Sequence, residues 1–522
     1  MPLVTLDQAL SQPFDYIVIG GGTAGLVVAS RLSEDPEVSV LVLDAGNPNL
    51  NDPLITRGNQ WGSQFGNPRY DWAFKTAPQK HMNGKEFMWS RGKSLGGSSA
   101  MNFQLWSLPP KGDIDDWEKL GNKGWNWTTY EKYLSKAATY VPIDATTRTD
   151  AKSLKATWDL EKRSNGAGPL FVTHPKLKFE IDYTAHDTLL GMGIPEARAP
   201  YHGESTGVHI GLSTIEPRTH TRSYAATSYF VPASTRTNLF VLTTAYAHRL
   251  VTTGQGDGNI VATGVDFNYG DDKKVLVAHA KREVIISAGA LKSPQILELS
   301  GIGREDVLSR IGVPVKISLD GVGENVQEHT FIGTVYELKE DTTTETLDML
   351  RDEKIAAQHI ELLAKGEGAF TSGFTNVAWV PLADVTSRSQ ALYEQEKKQI
   401  EEDVKTNSAY PPGLLEQYDI QLERIPNGGL DCEIAVTATF LGVGLPPIEG
   451  KKYVSIAVFS NHAFSRGTIH SSSNDPSVDP EMDPHYWEHR IDRDILLEGI
   501  KYARKIAQAS PLRDEIGKSH PI

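Results

Sequence analysis

The sequence predicts an α/β protein built from a parallel-sheet domain and a discontinuous second α+β domain, and three observations carry that prediction. Residues 14–46 read as strand, glycine turn, helix, strand and acidic tip. The chain has 522 residues, more than one ordinary hydrophobic core accommodates, which favours two domains. Beyond Asn238 the rhythm changes to short strands separated by turn residues, and beyond Thr330 to mixed helices and strands.

Tyr16 to Ile19 is a short apolar run suited to a buried parallel strand, and Gly20-x-Gly22-x-x-Gly25 follows at once. Ala24, Leu26, Val27, Val28, Ala29 and Leu32 then give a helix its apolar face. Gly20 permits the tight turn, Gly22 lets backbone approach a pyrophosphate, and Gly25 lets helix and strand pack closely. The helix N-terminus adds free N–H groups and a positive dipole end. Val38 to Leu43 is the next strand, and Asp44 stands 19 positions after Gly25, close to the ~20 at which a carboxylate meets ribose hydroxyls. Together these features predict a bound dinucleotide.

The segment Arg91 to Asn102, RGKSLGGSSAMN, predicts a second concave turn rich in N–H donors. Gly92, Gly96, Gly97, Ser98 and Ser99 are placed to wrap a pyrophosphate there, and Asn102 to offer an amide edge to a heterocycle. Residues 238–289 predict an antiparallel meander, with turns at Gly254 to Gly258 and at Tyr269 to Asp272. Its last strand ends in Ala288-Gly289-Ala290, after which Ser293 reads as N-cap, Pro294 as the first helical residue and Gly301 as the stop. Gly321 to His329, GVGENVQEH, is another glycine turn. Leu347 to Ala364 and Ser389 to Thr406 read as helices, Cys432 to Phe440 and Tyr453 to Phe459 as strands, and Arg490 to Ala509 as an amphipathic helix. Glu394 to Lys405 reads as a solvated helix face, and Phe370, Phe374, Trp379 and Phe464 as core or pocket lining.

A formal net charge of −14 argues against nucleic acid and anionic lipid as partners. The lone Cys432 excludes an intramolecular disulfide and a cysteine-rich metal site, and no metal is expected. The N-terminus lacks the features of a signal peptide, and no apolar run reaches the ~18 residues of a membrane span, so a cytoplasmic location is expected.

These motifs resemble the glucose-methanol-choline (GMC) oxidoreductase family of FAD-dependent alcohol oxidases and dehydrogenases. The glycine fingerprint with Asp44 is similar to the family's ADP-binding motif, where Glu is commoner. RGKSLGGSSAMN, with Trp106, Pro109 and Asp115 beyond it, resembles the first family signature. Gly289 to Gly303, GALKSPQILELSGIG, resembles the second, and VGENVQEH the segment after it. The likeness runs nearly end to end, through Asn238-Leu239, Ser465-Arg466-Gly467 and Asp475-Pro476. It implies a Rossmann-like FAD-binding domain of GMC type, mainly residues 1–329 with insertions of the other domain around 150–215. A substrate domain would span 330–487 and a shortened C-terminal part 488–522. It further implies FAD as cofactor, held by Gly20, Gly22, Thr23, Ala24, Gly25, Asp44 and Ala45. Gly92, Ser94, Gly96, Gly97, Ser98, Asn102, Phe103, Gln104 and Leu105 would follow along it, with Ala247, Ala288 and Gly289.

Alcohol oxidation of this kind moves a hydride to flavin N5 and needs a base for the hydroxyl proton, a role for which His is suited. The family supplies it from a His-x-x-Gly-Thr type segment near its C-terminus. That segment is not in this sequence, which runs PLRDEIGKSHPI to Ile522. The catalytic residue is therefore unassigned; His329, His462, His470 and His520 are candidates by position, each with a structural reading in competition. The expected function is oxidation of an alcohol group on a small metabolite, in specialised metabolism, with oxygen or another electron acceptor. The alternatives are a flavoprotein that binds FAD without oxidising alcohols, and lyase chemistry on the same scaffold.

Overall fold

A computed structural model describes residues 3–142, 168–254, 259–406, 410–442 and 446–519. His520, the 255–258 part of the expected Gly254–Gly258 turn and the 150–167 part of the expected insertion lie outside the described residues. The chain divides into two compact units. One comprises residues 1–102, 222–326 and 466–486; the other comprises 103–221, 327–465 and 487–522. The expected division had placed only about 150–215 of the first 329 residues in the second domain and had given it 466–486, so the observed units differ from it.

The first unit is organised on a six-stranded sheet in the order Leu239–Leu242, Val40–Leu43, Phe14–Ile19, Leu276–Ile286, Ile260–Tyr269, Ala245–Gly254. Leu239–Leu242, Val40–Leu43, Phe14–Ile19 and the end of Leu276–Ile286 pair in parallel. Their central residues, among them Ile17, Val18, Val40, Leu41, Val42 and Val241, are fully buried, as a parallel sheet covered on both faces requires. The remaining pairs are antiparallel.

The expected meander is therefore corrected at both ends. The chain turns at Thr244, whose φ is +55°, so NLFVLTTAYAHRLV makes two strands, the first joining the parallel sheet. Leu276–Ile286 is long enough to pair antiparallel through Leu276–His279 and parallel through Glu283–Ile286. The following helix is corrected too. It spans Gly289–Leu299 from an N-cap at Ala288, with Pro294 inside it rather than at its start. Gly289, at φ +84°, turns the chain into that helix earlier than the Ser-Pro pair had indicated. Gly301, at φ +84°, follows its end as expected.

The second unit carries an antiparallel five-stranded sheet in the order Asn376–Val380, Cys432–Thr437, Tyr453–Ser460, Thr330–Leu338, Ile516–Ser519. One face bears Ala378, Val380, Ile434, Val436, Val454, Ile456 and Val458, packed in one core with Ile491, Ile495, Tyr502 and Ile506 of the helix Arg490–Gln508. Gly499 permits that approach, since a Cβ there would stand 2.7 Å from Val458 Cγ1. The helices Glu180–Gly191, Ser389–Thr406 and Leu414–Arg424 contribute to the same core. No helix among the described residues is long and apolar enough to cross a membrane.

Candidate functional site

Within the first unit the carboxyl ends of the parallel strands open onto a cavity of about 520 Å³. The glycine turn forms one wall. A Cβ on Gly25 would fall 1.8 Å from the Gly20 carbonyl oxygen and 2.6 Å from Ser287 Oγ, so only glycine lets helix and strand meet here. Gly20 has φ +96°, and a Cβ there would strike the Ser287 carbonyl at 2.5 Å. Gly22 differs, because a Cβ on it would meet nothing nearer than Gly97 Cα at 3.8 Å and would occupy space in the cavity mouth. Gly97, at φ +53°, lies close enough that its own Cβ would come 2.8 Å from Gly22 Cα, which brings the two predicted glycine turns together. A hydrogen bond from Gly96 N–H to the Gly21 carbonyl, 2.8 Å, fixes that approach.

Two helices begin at this cavity. Thr23–Leu32 starts at Gly22 and Gly289–Leu299 at Ala288, neither with a side-chain cap nor an acidic residue in its first turn. Their leading N–H groups and dipole ends therefore favour an anion in the space that Gly22, Thr23, Ala24, Ala288, Gly289 and Ala290 border. Arg91, Lys93 and Lys292 add positive charge to the lining. Asp44 is the carboxylate there. Its Oδ2 accepts from Gly21 N–H and its Oδ1 from Gly46 N–H, each at 2.8 Å, and it is buried. Burial pushes its pKa up while those two N–H groups oppose the shift. An anion-attracting pair of helix ends beside one oriented carboxylate fits a dinucleotide, with diphosphate at the helices and ribose at the acid.

Thirteen of the nineteen expected cofactor residues line this cavity, adding Ala45, Gly92, Ser94, Ser98 and Ala247 to those above. Gly25 and Gly96 shape it from behind, Gly96 against the ring of Tyr224. Asn102 does not line it; Arg222 donates to its Oδ1 at 2.7 Å and to its carbonyl at 2.9 Å. Phe103, Gln104 and Leu105 belong to the second unit, where Leu105 pairs with Ser213 and Phe103 meets Phe374 edge-on at 5.6 Å.

Sequence reasoning missed Trp72, Phe74, Tyr246, His248, Lys292 and Pro476 as lining residues. Lys292 is 92 % buried at its side chain and donates to Tyr246 Oη, Gln295 Oε1 and Asp479 Oδ1, at 3.2, 3.0 and 2.8 Å. Trp72, Phe74 and Tyr246 surround the ammonium at 5.4 to 5.7 Å. The signal available in sequence was the Lys within GALKSPQ, a polar residue on a helix face that burial alone would not accept.

Three of the histidines named as candidate bases lie among the described residues, each beside a protein neighbour. His470, in the first unit, bridges two carboxylates, with Nδ1 2.7 Å from Glu298 and Nε2 3.1 Å from Glu324. Burial opposes its charging, but hydrogen bonds with and charges of Glu298 and Glu324 outweigh burial and raise its pKa. In the second unit, His462 Nε2 is 2.9 Å from Asp113 Oδ2, and the His329 ring meets Phe459 edge-on at 5.9 Å. None of the three lines the cavity.

Comparison with known proteins agrees with this geometry. Residues 14–331 match the N-terminal domain of the GMC oxidoreductases and residues 463–521 the C-terminal domain. The dehydrogenase mpl7 of Monascus purpureus is 31% identical over 99% of this chain and 84% of its own. Versicolorin B synthase of Aspergillus parasiticus is 29% identical over 97% of this chain and 74% of its own. Among solved structures, an FAD-dependent oxidoreductase from Chaetomium thermophilum superposes with a TM-score of 0.85 at 25% identity, covering 98% of this chain and 84% of that one. The chain belongs to the GMC oxidoreductases, and FAD is its cofactor.

Proposed function

We propose that this protein oxidises an alcohol group of a small metabolite in specialised metabolism. The observation that carries the cofactor half of this reading is the pair of uncapped helix N-termini bordering one cavity with the oriented Asp44. When bound, FAD supplies the hydride acceptor. The chain's own residues bind and orient it. Thr23, Ala24 and Gly289 would present backbone N–H groups to the diphosphate, Gly22 and Gly97 would leave the backbone bare where it approaches, and Asp44 would accept hydrogen bonds from the ribose hydroxyls. Lys292, fixed by three acceptors, holds Tyr246 and Asp479 at the rim. Gly92, Ser94 and Ser98 carry the lining onward from the first turn. The substrate half rests on the relatives, which include dehydrogenases and versicolorin B synthase.

The test is anaerobic addition of an alcohol panel to the purified yellow protein. Loss of the oxidised-flavin absorbance with at least one alcohol supports the reading. A stable oxidised spectrum across primary, secondary and aromatic alcohols refutes alcohol oxidation while leaving FAD binding intact.

A further inference from the structure

In the first unit, residues 471–480 join two short strands, Thr468–His470 and Glu481–Asp483, that pair antiparallel. The base of this loop is fixed. Ile469 and Met482 are buried in one apolar cluster, and Ser471 N–H donates to Glu298 Oε2 at 2.6 Å. Beyond the base, Asn474, Asp475, Ser477, Val478 and Asp479 are exposed, yet Pro476 belongs to the lining of the cofactor cavity. The loop is therefore a stretch of cavity wall with solvent on its other side.

Among the described residues, three hydrogen bonds tie residues 472–480 to the rest of the unit. Tyr246 Oη donates to the Pro476 carbonyl at 2.6 Å, Gln295 Nε2 to the Val478 carbonyl at 2.7 Å, and Lys292 Nζ to Asp479 Oδ1 at 2.8 Å. All three lead to one ammonium, because the other two acceptors of Lys292 are Tyr246 Oη and Gln295 Oε1. The phenol and the amide are thus oriented by Lys292 on one side and hold the loop on the other. The second charge on the loop, Asp475, is engaged by its own turn: it accepts from Ser477 N–H at 2.9 Å and from the Ser477 hydroxyl at 2.7 Å, with Lys273 and His248 acting on it as charges.

These contacts have the economy of a latch. The loop keeps its own shape through Asp475, whose carbonyl also accepts from Val478 N–H at 3.1 Å, so it can move as one piece about its fixed base. Opening it would leave the buried Lys292 ammonium without the Asp479 carboxylate, which favours the closed position. Every latch bond joins protein groups to each other. The latch is therefore made with or without FAD, and loosening it speeds entry and exit alike.

We propose that Lys292 is a positioning residue that latches residues 472–480 over the cofactor cavity, and that FAD enters and leaves when this latch opens. The proposal concerns the cofactor and stands whichever substrate is oxidised.

The decisive variant is Asp479→Ala. Asp479 does not line the cavity and its side chain is 53% exposed, so it neither touches FAD nor supports the core. The holoprotein is mixed with excess isotope-labelled FAD, and bound flavin is assayed by mass after rapid gel filtration. Affinity is measured separately, from free FAD in a dilution series of holoprotein. Asp479→Ala should exchange FAD about 10-fold faster, from loss of a charge-assisted bond, with an affinity within about 2-fold of wild type. Asp479→Asn, whose carbonyl still accepts from the ammonium, should fall between the two. Amide hydrogen exchange should rise in residues 472–480 of Asp479→Ala and stay unchanged in the helix Gly289–Leu299. Adding Asp479→Ala to Lys292→Met should give no further acceleration, since both changes open one latch. Unchanged FAD exchange in Asp479→Ala overturns the proposal, as does faster exchange with an equal loss of affinity or with no change in loop amide exchange. Multiplying effects in the double variant also overturn it. If Lys292→Met fails to fold, Tyr246→Phe takes its place in the double variant, and the same less-than-multiplicative result is required.

Discussion

The two units differ in what surrounds particular buried polar groups. In the first, two charged side chains of the cavity lining are held by protein partners before any ligand arrives: Asp44 by two backbone N–H groups and Lys292 by three acceptors. The free valences there belong to backbone at two helix starts, which suits a cofactor whose shape is constant. In the second, Glu433 accepts the indole N–H of the buried Trp379 and lies beside Phe459 in the sheet. A cofactor of constant shape is met largely by main chain.

The strongest way to break that contrast is at Gly25. Gly25→Val places carbon within 1.8 Å of the Gly20 carbonyl, so the protein should be recovered colourless or aggregated, read by the absence of flavin absorbance after gel filtration. Asp44→Asn should come next. The amide turns a donor toward one of two backbone N–H groups, leaving it unsatisfied at a cost of about 1–3 kcal/mol, and FAD release measured by fluorescence should rise by about 10-fold or more.

The two clamped histidines sharpen the contrast through pH. His489, in the second unit, lies 2.5 Å from Glu396 and 3.2 Å from Tyr418 Oη, joining three helices. Burial opposes its charging, and Glu396, Asp492 and Glu488 outweigh burial, so its pKa is raised, as is that of His470. A raised folded-state value means stability fully present below about 6.5, the unfolded value, and lost as pH climbs through the folded one. Melting temperature should therefore fall with rising pH across that window, and either His470→Gln or His489→Gln should flatten the slope. Only His470→Gln should also loosen FAD, since Glu298 lies on the helix that starts at the cavity. At the small end, Arg31→Ala removes a solvent-exposed pair with Glu34 and should change stability by less than about 0.5 kcal/mol in denaturant titration.

The cofactor half was legible because its signals are local. Gly20, Gly22 and Gly25 act within six residues, and the turn, the close approach and the helix start follow from their lack of a side chain. The helix Ser389–Thr406 was read to its observed ends for a similar reason, its charges and apolar positions being set by one period. Local rules also misplaced things. Pro294 looked like a helix start because its neighbours favour one, yet the Gly289 backbone had already begun the helix. The strand from Asn238 looked continuous because nothing local marks the left-handed Thr244.

By itself, then, the chain's order of residues determined the nucleotide turn, the acid that faces it, most of the helices and the family to which they belong. Tertiary structure alone decided that His470 is a clamp between Glu298 and Glu324, that Lys292 is caged by aromatic rings, and that Glu433 stands among Phe331, Phe459 and Trp379. The physical reason is distance along the chain. Those neighbours lie tens to hundreds of residues apart, and a side chain's protonation and free valence depend on which neighbours folding brings to it.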